Sequence, residues 1–215
     1  MGMGEYEVAE RMYRDVLAAT TAIYGPTHTV TVGSMGKLAS ALWHREKHVE
    51  SEALRRKVLS LRALALGEEH PVTLIGSSDL ALSLSTAGRD AERSEEAERI
   101  FVSVIAAQKR VLGKEHAYTL VTMSNYASML SRRGENAAAE RVYRETVASQ
   151  RRVLGDEHPC TMIMDSNLAA CLAKQGPSEK RDEANAIYGR VIPLMREVLG
   201  PGHPDTVRVV ALAST

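Results

Sequence analysis

The residues best able to do chemistry in this chain are its seven histidines and two cysteines. Five of the histidines, His28, His70, His116, His158 and His203, step by 42, 46, 42 and 45 residues. Histidine is a common metal ligand, so the series first raises a metal site. Geometry argues against one: equivalent positions on stacked helices lie about 10 Å apart, whereas zinc ligands converge to about 2.3 Å from a single ion. The expected role is a hydrogen bond to backbone at a helix junction, with no metal and no cofactor. Cys160 and Cys171 stand eleven residues apart in one predicted helix, which separates them by about 16 Å at ~1.5 Å per residue, too far for a disulfide. Free thiols fit a reducing, cytoplasmic setting. A phosphate-cradling glycine loop, a nucleophile elbow and an HExxH motif are all missing from the sequence. The expectation is therefore a protein that is not an enzyme, with acidic pairs such as Glu68-Glu69 and Glu95-Glu96 simply solvated.

The histidines sit inside a longer recurring phrase. Leu66-Gly67-Glu68-Glu69-His70-Pro71-Val72-Thr73 returns at Leu112–Thr119, Leu154–Thr161 and Leu199–Thr206, with a weaker copy at Tyr24–Thr31. Eighteen residues after the histidine come Gly88, Gly134 and Gly176, with Glu46 in the first copy. Alanine-led runs follow: Ala97-Glu98-Arg99-Ile100-Phe101, Ala139-Glu140-Arg141-Val142-Tyr143 and Ala184-Asn185-Ala186-Ile187-Tyr188, preceded by Ala9-Glu10-Arg11-Met12-Tyr13. Ser51-Glu52-Ala53-Leu54-Arg55 is a degenerate copy.

Such a period predicts two helices per copy, helix A from the histidine to the glycine and helix B from there to the next Leu-Gly. Proline just inside a helix start and glycine just past its end are the expected punctuation. The residues that lengthen the 46 and 45 steps are expected in a loop after Gly88 and Gly176, where insertion costs little. Lys109-Arg110, Arg151-Arg152 and Arg196 fall in the last turn of helix B, where cations offset the helix dipole.

Leu38, Leu80, Tyr126 and Leu168 share one register of helix A, followed each time by alanine (Ala39, Ala81, Ala127, Ala169) and then by Leu42, Leu84, Leu130 and Leu172. The i, i+4 spacing makes an apolar stripe, and the alanine permits close approach of helix B. One hairpin cannot bury these faces alone; stacked neighbours share a continuous core.

This pattern, with alanine and an aromatic four residues later in helix B, resembles the tetratricopeptide signature. The long period and the Leu-Gly-x-x-His-Pro link resemble the kinesin-light-chain variety of that repeat. The resemblance implies an all-α fold, a right-handed superhelical solenoid of antiparallel helix pairs. The predicted organisation is a single array over 1–215: an orphan helix B over 1–27, full repeats over 28–69, 70–115, 116–157 and 158–202, and a partial helix A over 203–215. The unmatched ends are expected to mark a piece of a longer chain or to pair with another copy, end to end, through uncapped terminal helices.

In that family the A helices line the concave groove. The resemblance therefore assigns ligand contacts to Lys37, Ala41 and His44 in the first copy and to Asp79, Ser83 and Thr86 in the second. The third copy supplies Tyr118, Thr122, Asn125, Met129 and Arg132. The fourth supplies Cys160, Met164, Asn167, Cys171 and Lys174. Asn125 and Asn167 match the groove asparagine that contacts peptide backbone in the family, whereas Lys37 and Asp79 replace it in the first two copies. An asparagine donates and accepts at once, which suits an extended peptide. The methionines are expected to adapt to a partner's apolar side chains.

The composition is compatible with that picture. Hydrophobic residues make up 44% and charged residues 25%, a globular balance, and aromatics only 4%, which leaves alanine and leucine to fill helix interfaces. Lysine plus arginine equals aspartate plus glutamate. A nucleic-acid binder, whose affinity comes from neutralising phosphates, or a membrane-surface protein is not expected. The function expected is a non-catalytic scaffold for a protein or peptide ligand. The competing expectations are a regulatory or sensor segment of a larger, nucleotide-switched protein and a self-assembling array.

Overall fold

The structure, a computed structural model, describes residues 3–86, 91–176 and 178–214. These form ten helices and no strand: α1 (Met3–Tyr24), α2 (Thr29–His44), α3 (His48–Leu66), α4 (Pro71–Thr86), α5 (Ala91–Val111), α6 (Ala117–Arg132), α7 (Asn136–Leu154), α8 (Pro159–Ala173), α9 (Ser178–Val198) and α10 (Pro204–Ala213). Even-numbered helices are the A helices and odd-numbered ones the B helices. Gly88 lies outside the described residues.

The recurring phrase is the junction between a B helix and the next A helix. Its glycine ends helix B: Gly67 and Gly155 hold φ of +93° and +86° with ψ of 156° and 169°, a region essentially closed to any residue with a Cβ. Its histidine starts helix A. The Nδ1 atoms of His28, His70, His116, His158 and His203 accept hydrogen bonds from the backbone N–H groups of Val30, Val72, Tyr118, Cys160 and Asp205 at 3.1–3.3 Å. Each histidine thus satisfies one of the N–H groups that a helix start leaves without an internal partner. The threonine is buried in all five copies. Thr31 donates back to the carbonyl of Gly25 at 2.8 Å, tying the end of α1 to the start of α2, and Thr119 donates to the carbonyl of Gly113 at 2.9 Å within the turn that precedes α6.

The expected stripe is the core. Ala39, Ala81, Ala127 and Ala169 are completely buried, as are Ala97 and Ala139 facing them from the B helices. Leu42, Leu84, Leu130 and Leu172 are buried alongside, with Phe101, Tyr143 and Tyr188. Ser51 stands in α3 where the other B helices have alanine, and its hydroxyl donates to the Ala39 carbonyl at 2.7 Å, so the polar substitution is satisfied inside the core. The chain divides into two compact units, Met1–Val111 and Leu112–Thr215. In the first, each of α1 to α5 packs on its neighbour in sequence. In the second, α6 to α10 do the same, and the A helices also touch side by side, α6 against α8 and α8 against α10.

Two expectations need correction. Residues 87–90 lie outside the described residues; beyond them, the extra residues of the longer repeats extend helices, since α5 and α9 begin six residues before Ala97 and Ala184 whereas α7 begins three before Ala139. They begin with Ala91-Glu92-Arg93-Ser94-Glu95 and Ser178-Glu179-Lys180-Arg181, mostly good helix formers with an acid in the first turn, where the helix dipole favours it. Winding them into a helical turn pairs backbone groups that a loop would leave to solvent.

Nor are the acidic pairs merely solvated. Glu96 takes both guanidinium nitrogens of Arg56 at 2.8 and 2.7 Å, and Glu69 pairs with Arg110. The Arg56 pair belongs to a ladder joining successive B helices. A glutamate beside the alanine register holds the arginine four residues on (Glu10–Arg14, Glu52–Arg56, Glu140–Arg144), and that arginine reaches the next B helix at Glu50, Glu96 or Glu183. Arg110, Arg151 and Arg152 likewise do more than offset a dipole, pairing with Glu69, Asp165 and Glu115.

Candidate functional site

The scaffold roles account for the recurring residues, so the candidate site is sought among those on the A-helix faces that differ between copies. Each unit presents its own face.

In the second unit, α6 and α8 carry the expected residues, but the structure sorts them by exposure. Tyr118, Arg132 and Lys174 are exposed. Asn125 and Asn167 are half-buried. Thr122, Met129, Met164 and Cys171 are between 1% and 5% exposed, so their side chains lie within helix packing and not on the face. Thr122 donates to the Tyr118 carbonyl at 2.9 Å, and the Cys171 thiol donates to the Asn136 carbonyl at 3.3 Å. Burial, with the Glu140 carboxylate nearby, pushes the Cys171 thiol up, which keeps it protonated and a poor nucleophile. Methionines sealed in this way fill space and offer no adaptable surface.

The two asparagines differ. Asn167 Oδ1 already accepts from Arg208 of α10 at 3.3 Å. Asn125 has no side-chain hydrogen-bond partner among the described residues, so both its donor and its acceptor capacity remain available. Among the described residues Lys174 donates only to the Ser131 hydroxyl, at 3.4 Å. Tyr118 leans on His116, ring centroids 5.5 Å apart. Asn125 together with Tyr118, Arg132 and Lys174 therefore makes a polar, net-positive face with an aromatic at one end.

In the first unit, Lys37 on α2 and Asp79 on α4 are exposed, and Ala41 and Ser83 are buried. Lys37 and Asp79 border a cleft of about 390 Å³ between α2, α3 and α4. Two further cations line it, Arg55 and Arg62 of α3. Arg55 Nη1 lies 3.9 Å from Asp79 Oδ2. Loss of water on the cleft side pushes the Asp79 carboxyl up, and the charges of Arg55 and Arg62 pull it back; burial pushes Arg55 down. Neither arginine is picked out by the repeat pattern, since helix B ought to face the core. The available signals were the arginine at an aromatic register and the glycines Gly33, Gly36 and Gly76 within the flanking helices.

Among the described residues no three histidine, cysteine or acidic side chains converge on a metal position, and the five junction histidines each spend Nδ1 on a helix start. No described helix is long and apolar enough to cross a membrane.

A family profile for the tetratricopeptide repeat matches residues 1–29, 31–72, 78–118, 119–159 and 166–205. The matches take in most of the chain, and the protein belongs to the tetratricopeptide-repeat family. Among solved structures, a Podosopora anserina protein described as a kinesin light chain with nearly identical TPR-like repeats is 23% identical. It aligns over 90% of this chain and 89% of its own, with a TM-score of 0.72. A point variant of that protein gives a TM-score of 0.75 at the same identity, with 91% and 89% covered. BtubC (BKLC) from P. vanneervenii is 17% identical over 94% of this chain and 77% of its own, TM-score 0.75. At these identities the likeness is one of fold, the kinesin-light-chain-like form of the repeat. No curated protein matches the chain.

Proposed function

We propose that this protein is a non-catalytic interaction scaffold that holds a peptide or partner protein against the exposed faces of its A helices. Repeat arrays of this type gain function by presenting extended surfaces, and the solved structures it resembles share the same repeat form. The observation that carries the reading is Asn125, a half-buried amide with no intramolecular hydrogen bond among the described residues, flanked by exposed Tyr118 and Arg132. An amide in that position suits backbone of an extended ligand, and the neighbouring cations favour an acidic one. Met129, Met164, Thr122 and Cys171 act from beneath as packing, while Asn167 is oriented by Arg208.

The test starts from partners recovered by pull-down from the native source and identified by mass spectrometry. Each is titrated against the wild type and against the triple variant Asn125→Ala, Arg132→Ala, Lys174→Ala. The expected outcome is an affinity loss of about tenfold or more, given that loss of a single interfacial hot spot costs above about 1 kcal/mol. Unchanged affinity for every partner overturns the groove assignment.

Self-association is a second reading, favoured by α1. Val8, Met12 and Val16 follow one another at i, i+4 spacing, and all three are exposed, Met12 at 59%. An exposed apolar stripe of that kind matches an interaction face.

A further inference from the structure

The alanine register aligns Ser51 of α3 with Ala9, Ala97, Ala139 and Ala184 of the other B helices. Four residues on, α3 has Arg55 where the others have Tyr13, Phe101, Tyr143 and Tyr188. Eleven residues on, it has Arg62 where the others have Thr20, Gln108, Gln150 and Met195. Phe101, Tyr143, Tyr188, Gln108, Gln150 and Met195 are all buried. One helix has therefore placed guanidinium groups at two positions that α5, α7 and α9 give to the core.

The flanking A helices make room for them. Gly36 of α2 and Gly76 of α4 face Arg62 from opposite sides: a Cβ at position 36 would lie 3.8 Å from Nη2, and one at position 76 would lie 3.2 Å from Nη1. Glycine inside a helix costs about 1 kcal/mol relative to alanine. Three of them, with Gly33, border the same cleft, so the cost falls where it lets a guanidinium rise between two helices.

The charges there are not neutralised. Arg62 and Lys37 make no hydrogen bond or ion pair among the described residues. Arg55, 15% exposed, has its Nε buried without a partner and its one carboxylate, Asp79, at 3.9 Å. Three cations face one acid in a cleft of about 390 Å³. A buried arginine without a full complement of acceptors is unfavourable, and guanidinium forks match the oxygens of phosphate. A phosphate monoester carries about −1.5 to −2 charges at neutral pH, which answers the excess of two positive charges better than a single carboxylate does.

We propose that the cleft between α2, α3 and α4 is an oxyanion site that takes a phosphate group, clamped by Arg55 and Arg62 with Lys37 at its mouth. The volume leaves room for part of the molecule that carries the phosphate. The site is independent of whether a partner lies on the A-helix faces, so its test uses the chain alone.

Calorimetric titration of the full chain with inorganic phosphate, a phosphoserine peptide and a nucleoside monophosphate provides the test. The wild type is expected to bind phosphate. Arg62→Gln, which installs the residue α5 and α7 carry in this register, and Arg55→Phe, which installs the aromatic of α5, are each expected to weaken binding at least about tenfold while circular dichroism stays unchanged. Gly76→Val crowds the Arg62 guanidinium without removing a charge and is expected to weaken binding as well. Asp79→Asn is expected to strengthen it severalfold. A gain over inorganic phosphate by the peptide or by the nucleotide identifies the source of the phosphate; no gain from either identifies the free anion. Equal binding by the wild type and the folded Arg62→Gln and Gly76→Val variants, or no binding by the wild type to any of the three probes, overturns the site.

Discussion

Glu46 is the one non-glycine residue with positive φ among the described residues, at +60°. It stands where the later copies have Gly134 and Gly176, at +82° and +88°. The left-handed region costs a residue with a Cβ about 1–2 kcal/mol, and glycine gives back about 0.5–1 kcal/mol through its looser unfolded chain. Glu46→Gly is therefore expected to raise stability by about 0.5–1 kcal/mol, read as a shift of the urea midpoint at constant slope; a lower midpoint contradicts this. The junction histidines were legible at the same scale. Their spacing ruled out a shared ion and pointed to backbone, and backbone N–H is what each one binds. Arg55 was not legible. An arginine in a degenerate copy reads as decay of the repeat; its meaning depends on Asp79 of α4, 3.9 Å away, and on the neighbouring Arg62, which sits between Gly36 and Gly76 of other helices.

At the scale of elements, the helices and their order followed from periodicity, because glycine, histidine and alanine each do one local job. What periodicity missed is how the B helices are tied together, since ion pairs between residues about forty positions apart have no local signature. Two of these ties set the acid behaviour. Burial alone would raise Glu10, but hydrogen bonds from Lys47 and Arg45, with the charge of Arg14, hold it at about 2. Glu140 is held at about 2 in the same way, against its burial, by Lys180, Gln175 and Arg144. Both folded values lie below the ordinary 4.5. Their stabilisation is thus complete above pH 4.5 and disappears as pH falls from there towards 2. Urea midpoints are expected to fall across that window, and less steeply in Glu10→Gln, which also loses about 2 kcal/mol at neutral pH by leaving three cations without their common acceptor. An identical acid slope in the variant removes Glu10 from this account.

The whole molecule has zero formal net charge, and that balance hides its distribution. Opposite charges are consumed in the ladder, and the cleft of the first unit keeps an excess of cations. Composition could therefore exclude a nucleic-acid binder on average but could not see a local anion site. Self-association belongs to this scale too. If α1 is the interface, light scattering should give a mass that rises with protein concentration, and Met12→Glu should hold the chain at monomer mass; concentration-independent monomer for the wild type removes the reading. The exposure of the A-helix faces was legible only in outline. The register placed the candidate residues on α2, α4, α6 and α8, but whether a given side chain ends up under or outside its neighbour depends on packing between helices, and Met129, Met164, Thr122 and Cys171 went under.

The junction has one more consequence. Helix stop, turn and helix start are all specified between the glycine and the threonine of one phrase. At Gly113–Thr119 the histidine cap and the threonine tie both close within that stretch. Such a connector is a cassette. It gives an engineer a cut site at which a repeat can be removed, duplicated or exchanged with its caps intact, provided that the alanine and leucine stripes on either side still meet.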